Sequence, residues 1–133
     1  MMQQISSLNY RPAATGSTAA DAETRARART SAERLYAERR RRDALFPPAL
    51  FGEPAWDLLL AMFTARERGH AMILCKAYKA AGVSDTTGRR LLDRMEEEGL
   101  ITRRRAPRSR KMRIVELTDS AVDMLVDFLS REP

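Results

Sequence analysis

A chain of 133 residues, 44% hydrophobic and 6% aromatic, is about the size of one ordinary domain, with a core to be built from Leu, Met, Ala and Val. One cysteine, Cys75, excludes a disulfide framework and a thiolate zinc cluster, and one histidine, His70, excludes a cluster of metal-ligating histidines. The net charge of +6, carried mostly by Arg, favours a polyanionic partner, nucleic acid first and an acidic membrane surface second.

Residues 1–19 are rich in Ser, Thr, Ala, Gln and Gly, show no apolar period and read as a disordered arm. They lack the apolar stretch of a secretory signal, and no apolar run reaches membrane-spanning length. With a single cysteine, a reducing, cytoplasmic setting is expected. From about Ala20 to Leu45 the chain is Ala-, Glu- and Arg-rich and predicts a helix, with Glu23–Arg27 and Glu38–Arg42 as i,i+4 pairs. Its apolar stripe is thin (Ala28, Ala32, Leu35, Tyr36), so the helix should either fray or lie against a partner. Four consecutive arginines, Arg39 to Arg42, read first as a solvated face. A second contact to DNA and a localisation signal are the alternatives. Pro47 and Pro48 end this segment.

Glu53 and Pro54 suit the first turn of a second helix. Trp56, Leu59, Leu60 and Phe63 form its stripe, Leu58 and Met62 widen it, and Gly69 stops it. A short apolar run and a short Ala-rich helix follow, broken at Gly82. Ser84 is placed to cap the next helix, with Asp85 in its first turn. Winding at 100° per residue puts Gly88, Leu91, Leu92 and Met95 on one face. Thr86, Arg90, Asp93 and Glu97 fall opposite, Arg89 and Arg94 lie on the flanks, and Gly99 is the stop.

Residues 103–113 then hold seven cations and no acid. Leu100–Thr102 and Met112–Thr118 read as strands, with Pro107 and Ser109 as turn-formers between them, so the run is expected to be a hairpin with a cationic tip. Val115 and Leu117 should share one side, Met112, Ile114 and Glu116 the other. Thr118 caps a last helix striped by Val122, Leu125, Val126 and Leu129, broadened by Ala121, Met124 and Phe128.

Helix, turn, helix and strand pair in this order, with cations exposed early on the second helix, fit a winged helix-turn-helix. The stretches "AAGVSDTTGRRLLDRMEEEGLITRR" and "APRSRKMRIVELT" resemble the helix-turn-helix and wing of MarR-type transcription regulators, most closely at Glu98–Ile101 and Leu117–Thr118. The resemblance spans about Phe51 to Leu129. It implies a mainly α fold in which residues 84–98 form the recognition helix in a major groove and residues 103–113 form a wing on backbone and minor groove. It also implies a homodimer formed through the terminal helices, and a nucleoid-associated protein. The wing lacks the acids common in that family, Ala121 stands where the family has Gly, and Tyr78 stands where a small residue is usual in such motifs. The family's small-molecule pocket finds no identifying residue here.

The expected DNA-binding residues on the helix are Ser84, Thr86, Thr87, Arg89, Arg90 and Arg94. Thr86 would reach a thymine methyl or phosphate, and Arg90 a guanine edge. On the wing they are Arg103, Arg105, Arg108, Arg110 and Lys111, as phosphate contacts with Arg108 and Arg110 at the tip. Residues 20–46 are expected to serve dimerisation or DNA contact, and 47–133 to form the winged domain with its C-terminal helix. A winged-helix protein–protein module with weak or non-specific nucleic-acid binding is the rival reading. No catalytic set, metal or cofactor is expected. Cys75 reads as a small buried hydrophobe rather than a redox sensor, His70 as a solvated loop residue, and Met62, Met72, Met95, Met112 and Met124 as core filler.

Overall fold

The computed structural model describes residues 21–47 and 50–131, except for the side chain of Arg110. The predicted arm lies outside the described residues. The fold is mainly helical with a small antiparallel sheet: α1 (Ala22–Leu45), α2 (Pro54–Glu67), β1 (Met72–Ile73), α3 (Leu74–Ala81), α4 (Asp85–Glu97), β2 (Ile101–Ala106), β3 (Ser109–Leu117) and α5 (Asp119–Leu129). The strand order is β1-β3-β2.

α2 is apolar on more than one side because it packs against α1, α3 and β3 at once. Leu58, Leu60 and Phe63 are fully buried, and Trp56 and Leu59 partly so. α1 contributes Ala28 and Ala32, both at 0% exposure, to the same core. The N-terminal helix is therefore a wall of one shared core and not an appended arm. Its small residues let it approach α2 closely, and ionic contacts then hold it there in place of a broad apolar face. Arg25 meets Glu67 at 2.6 Å, Arg39 and Arg40 both meet Asp57, and Arg68 reaches back to Glu33.

This overturns the solvated reading of the arginine run. Asp57 is buried, Arg39 is largely so, and the Arg42 guanidinium lies 4.6 Å from the Phe51 ring centre while donating to the Phe51 carbonyl. Since Arg42 is drawn away, Glu38 pairs with Arg34 at 3.6 Å instead; Glu23–Arg27 forms as expected, at 3.6 Å. The start of α1 is capped by Asp21, whose carboxylate accepts from the Thr24 amide at 2.7 Å and is held below its ordinary pKa by that bond.

The hairpin is longer than expected. β2 runs through Arg103, Arg104 and Arg105, paired with Val115, Ile114 and Arg113, leaving Pro107–Arg108 as the turn. Arginines read as loop from composition, but their aliphatic stems lie along a pleated surface without cost. Both faces of β3 are covered at Ile114, Val115, Glu116 and Leu117, which explains the imperfect alternation of the sequence there. β1 supplies the third strand through Met72↔Val115 and Ile73↔Ile114.

Three other expectations change. Cys75 is exposed, as are Met112 and Met124, so these are not core filler. Met62 and Met95 are buried, Met72 is half-buried, and His70 is an exposed loop residue. Thr118 caps α5 by accepting from the Ala121 amide at 3.2 Å and donates to the Gly99 carbonyl at 2.7 Å, so one hydroxyl ties the start of α5 to the end of α4.

Candidate nucleic-acid interface

α4 starts where the chain leaves α3 through Gly82, which is in the left-handed region at φ 70°. Ser84 uses its hydroxyl to accept from the Thr87 amide at 3.2 Å, so it is a cap before it is a contact. Beyond it Asp85, Thr86, Thr87, Arg89 and Arg90 are exposed, while Gly88, Leu92 and Met95 are buried and Leu91 is half-buried. The buried face is the one the sequence predicts. Tyr78, anomalous by sequence, has its explanation at Gly88: a Cβ built there would sit 2.2 Å from Tyr78 Cδ1. The small residue needed where the two helices cross is on α4, and the large one is on α3.

The expected cations divide sharply. Arg103 turns back onto α4, donating to Asp93 at 2.7 Å and to Glu96 at 2.5 Å and 3.1 Å. The hydrogen bond to Glu96, and then that to Asp93, push its pKa up despite partial desolvation. Arg103 is thus a brace between β2 and α4, and its charge is neutralised. Arg94 is likewise engaged, with Glu98 at 3.0 Å, though at an exposed position where such pairs contribute little. Arg104 lies on the other side of the strand and pairs at 2.9 Å with the buried Glu116.

Arg89 and Arg90 on α4, with Arg105, Arg108 and Lys111 on the hairpin, are exposed and make no ion pair among the described residues. The Arg110 side chain lies outside what is described. To this set the structure adds Arg113, part of the wing run but not among its expected contacts: it is exposed, makes no ion pair among the described residues and lies directly opposite Arg105. The overlooked signal was strand alternation, since residues 113, 115 and 117 share a face and Val115 and Leu117 point toward the core. Arg89, Arg103 and Arg113 line one cleft of about 410 Å3 together with Asp93, Glu96 and Tyr78, so α4 and the hairpin present their cations side by side.

Lys76 and Lys79 on α3 are also exposed and make no ion pair among the described residues. By contrast, α1 uses Arg27, Arg39 and Arg40 in carboxylate pairs and Arg42 on Phe51, and of its remaining cations without an ion pair among the described residues Arg29 is half-buried and Arg41 exposed. Among the described residues, the exposed cations without an ion pair therefore gather on α3, α4 and the hairpin, with Arg41 the exception on α1. The described residues hold no group of three or more metal-ligating side chains, and none of their helices is long and apolar enough to cross a membrane. Comparison with known proteins finds no matching family, no matching curated relative and no matching solved structure.

Proposed function

We propose that this chain is a winged helix-turn-helix protein of MarR-like type that binds double-stranded DNA sequence-specifically and regulates transcription. α4 would enter the major groove as recognition helix, and the hairpin would serve as a wing on the backbone and minor groove. The observation that carries this reading is the sorting of charge: among the described residues most cations of α1 and α2, with Arg103 and Arg104 of the hairpin, are taken up by carboxylates, while Arg89 and Arg90 on α4 and Arg105, Arg108, Lys111 and Arg113 on the hairpin are exposed and make no ion pair. Phosphates supply the missing counter-charge, and Thr86, Thr87 and Arg90 are the side chains available for base edges.

The test is the salt dependence of duplex binding together with selection of bound sequences from a random pool. A steep log–log slope and a recurring motif are expected. A flat slope, or no duplex binding at low salt, would sink the proposal and leave the protein–protein module. Within it, Arg90→Ala should relax base preference at one position. Arg108→Ala should weaken all sequences alike and shallow the slope by about one unit. An unchanged preference in Arg90→Ala would remove that residue from the reading role.

We also propose a homodimer. Leu45, Phe46, Leu50 and Phe51 are exposed at the α1–α2 connection, and Met124 and Phe128 on α5. Phe128 stands edge-on to Trp56 at 5.6 Å, which brings α5 up to the start of α2. Exposed large apolar groups of this density suit a subunit interface. Phe128→Glu is expected to yield a folded monomer by sedimentation equilibrium. A chain already monomeric before substitution would refute the dimer.

A further inference from the structure

The cleft between α4 and the hairpin contains three guanidinium groups of unequal standing. Arg103 is held by two carboxylates, whereas Arg89 on α4 and Arg113 on β3 have no ionic partner among the described residues. We infer that this cleft is a seat for one phosphate group, gripped between Arg89 and Arg113, with Arg103 as the positioning residue that sets their separation. As to the source of that phosphate, a phosphodiester of the duplex backbone, the inference rests on the DNA-binding reading above.

Charge balance supports the assignment. Arg89, Arg103 and Arg113 against Asp93 and Glu96 leave the cleft at +1, the complement of one phosphodiester. Arg113 also stands directly opposite Arg105 in the strand ladder, where like charges destabilise a pair unless an anion lies between them. Planar guanidinium forks approaching from two elements suit the several acceptor oxygens of a phosphate. The carboxylates of Asp93 and Glu96 would repel such a guest if bare, and three hydrogen bonds from Arg103 mask them. The same bonds hold β2 to α4 and so fix how far Arg113 stands from Arg89.

Two experiments on the full chain test this. The first follows arginine Nε–Hε resonances during titration with dimethyl phosphate. Arg89 and Arg113 are expected to shift along one common curve while Arg103 stays still, and Arg113→Gln should abolish the Arg89 response. Separate midpoints, no response, or a moving Arg103 overturns the seat.

The second is a double-mutant cycle on duplex affinity with Arg89→Gln and Arg113→Gln. Each should weaken binding about 10-fold and the pair scarcely more, since both grip one phosphate. Losses that multiply to about 100-fold place them on separate phosphates and overturn the seat. Arg103→Ala should weaken duplex binding while leaving the salt slope unchanged, because Arg103 neutralises no phosphate. A slope shallower by about one unit would make it an ordinary backbone contact and refute its positioning role. A positive diester titration in a protein that binds no duplex would leave the seat standing and remove the DNA reading alone.

Discussion

Gly88→Ala is expected to destabilise the protein by about 1–2 kcal/mol, although Ala is the better helix former by about 1 kcal/mol. The added methyl would lie 2.2 Å from Tyr78 Cδ1, 2.7 Å from Cε1 and 2.9 Å from Cγ, far inside ordinary carbon contact. Because Cγ is among the three, turning the ring about its own axis does not clear the clash. Either Tyr78 leaves its rotamer or α3 and α4 separate. The overpacking term therefore outweighs the propensity gain. Urea unfolding measures the sum, and a double-mutant cycle isolates the cause. With Tyr78→Ala in place the methyl has room, so Gly88→Ala should then stabilise by several tenths of a kcal/mol. Gly88→Ala that is neutral or stabilising beside an intact Tyr78 would show that the two helices are not in the contact described. On the proposed DNA-binding role the crossing of α3 and α4 sets the angle at which Thr86, Thr87 and Arg90 are offered, so duplex affinity should fall in step with the displacement.

What could be read along the chain was what local chemistry decides. Ser84 caps α4, Thr118 caps α5, and Gly69, Gly82 and Gly99 adopt the positive φ that ends three helices, all within a few residues of the signals that specify them. The buried face of α4 follows from its own period. Contacts between elements far apart in sequence could not be read this way. The partners of Arg103 are on α4, and Asp57, which Arg39 and Arg40 share, is on α2, so an arginine-rich stretch looks the same whether its charges are offered or consumed. For the same reason the basic run appeared as one cationic tip. Pairing splits it: Arg103 is bound to carboxylates of α4, Arg104 to Glu116 on the opposite face, and Arg105, Arg108, Lys111 and Arg113 stay exposed without an ion pair among the described residues. Tyr78 looked out of place because its compensating residue, Gly88, belongs to another helix.

The larger effect is expected at Asp57. Its carboxylate is buried in the first turn of α2, where the helix dipole favours a negative charge, and it accepts from Arg39 Nε and, at 2.7 Å, from Arg40 Nη2. Arg39 is 13% exposed, and its hydrogen bond to Asp57 is the first cause pushing its pKa upward. Asp57→Ala leaves that guanidinium buried without its main partner, since Glu53 stands off at 3.6 Å. Breaking a buried pair in this way costs about 3–5 kcal/mol, a large share of the stability of a domain this size. Salt should moderate the loss little, because the pair is shielded from solvent. The triple variant Asp57→Ala, Arg39→Met, Arg40→Met removes the buried carboxylate with both its guanidinium partners, leaving only the part-exposed Asp43 without Arg40, and should recover much of the deficit, as apolar replacements of buried ion pairs do. Urea unfolding reads all three proteins. An Asp57→Ala loss below about 1 kcal/mol would mean that the clamp does not hold α1. The readout extends to function through Tyr36, whose hydroxyl donates at 3.0 Å to the Ala80 carbonyl at the end of α3. With α1 loosened, that tie goes as well, and the turn that aims α4 loses its support. Duplex affinity is therefore expected to fall in Asp57→Ala and to return in the triple variant, although no residue changed in either protein is proposed to touch DNA.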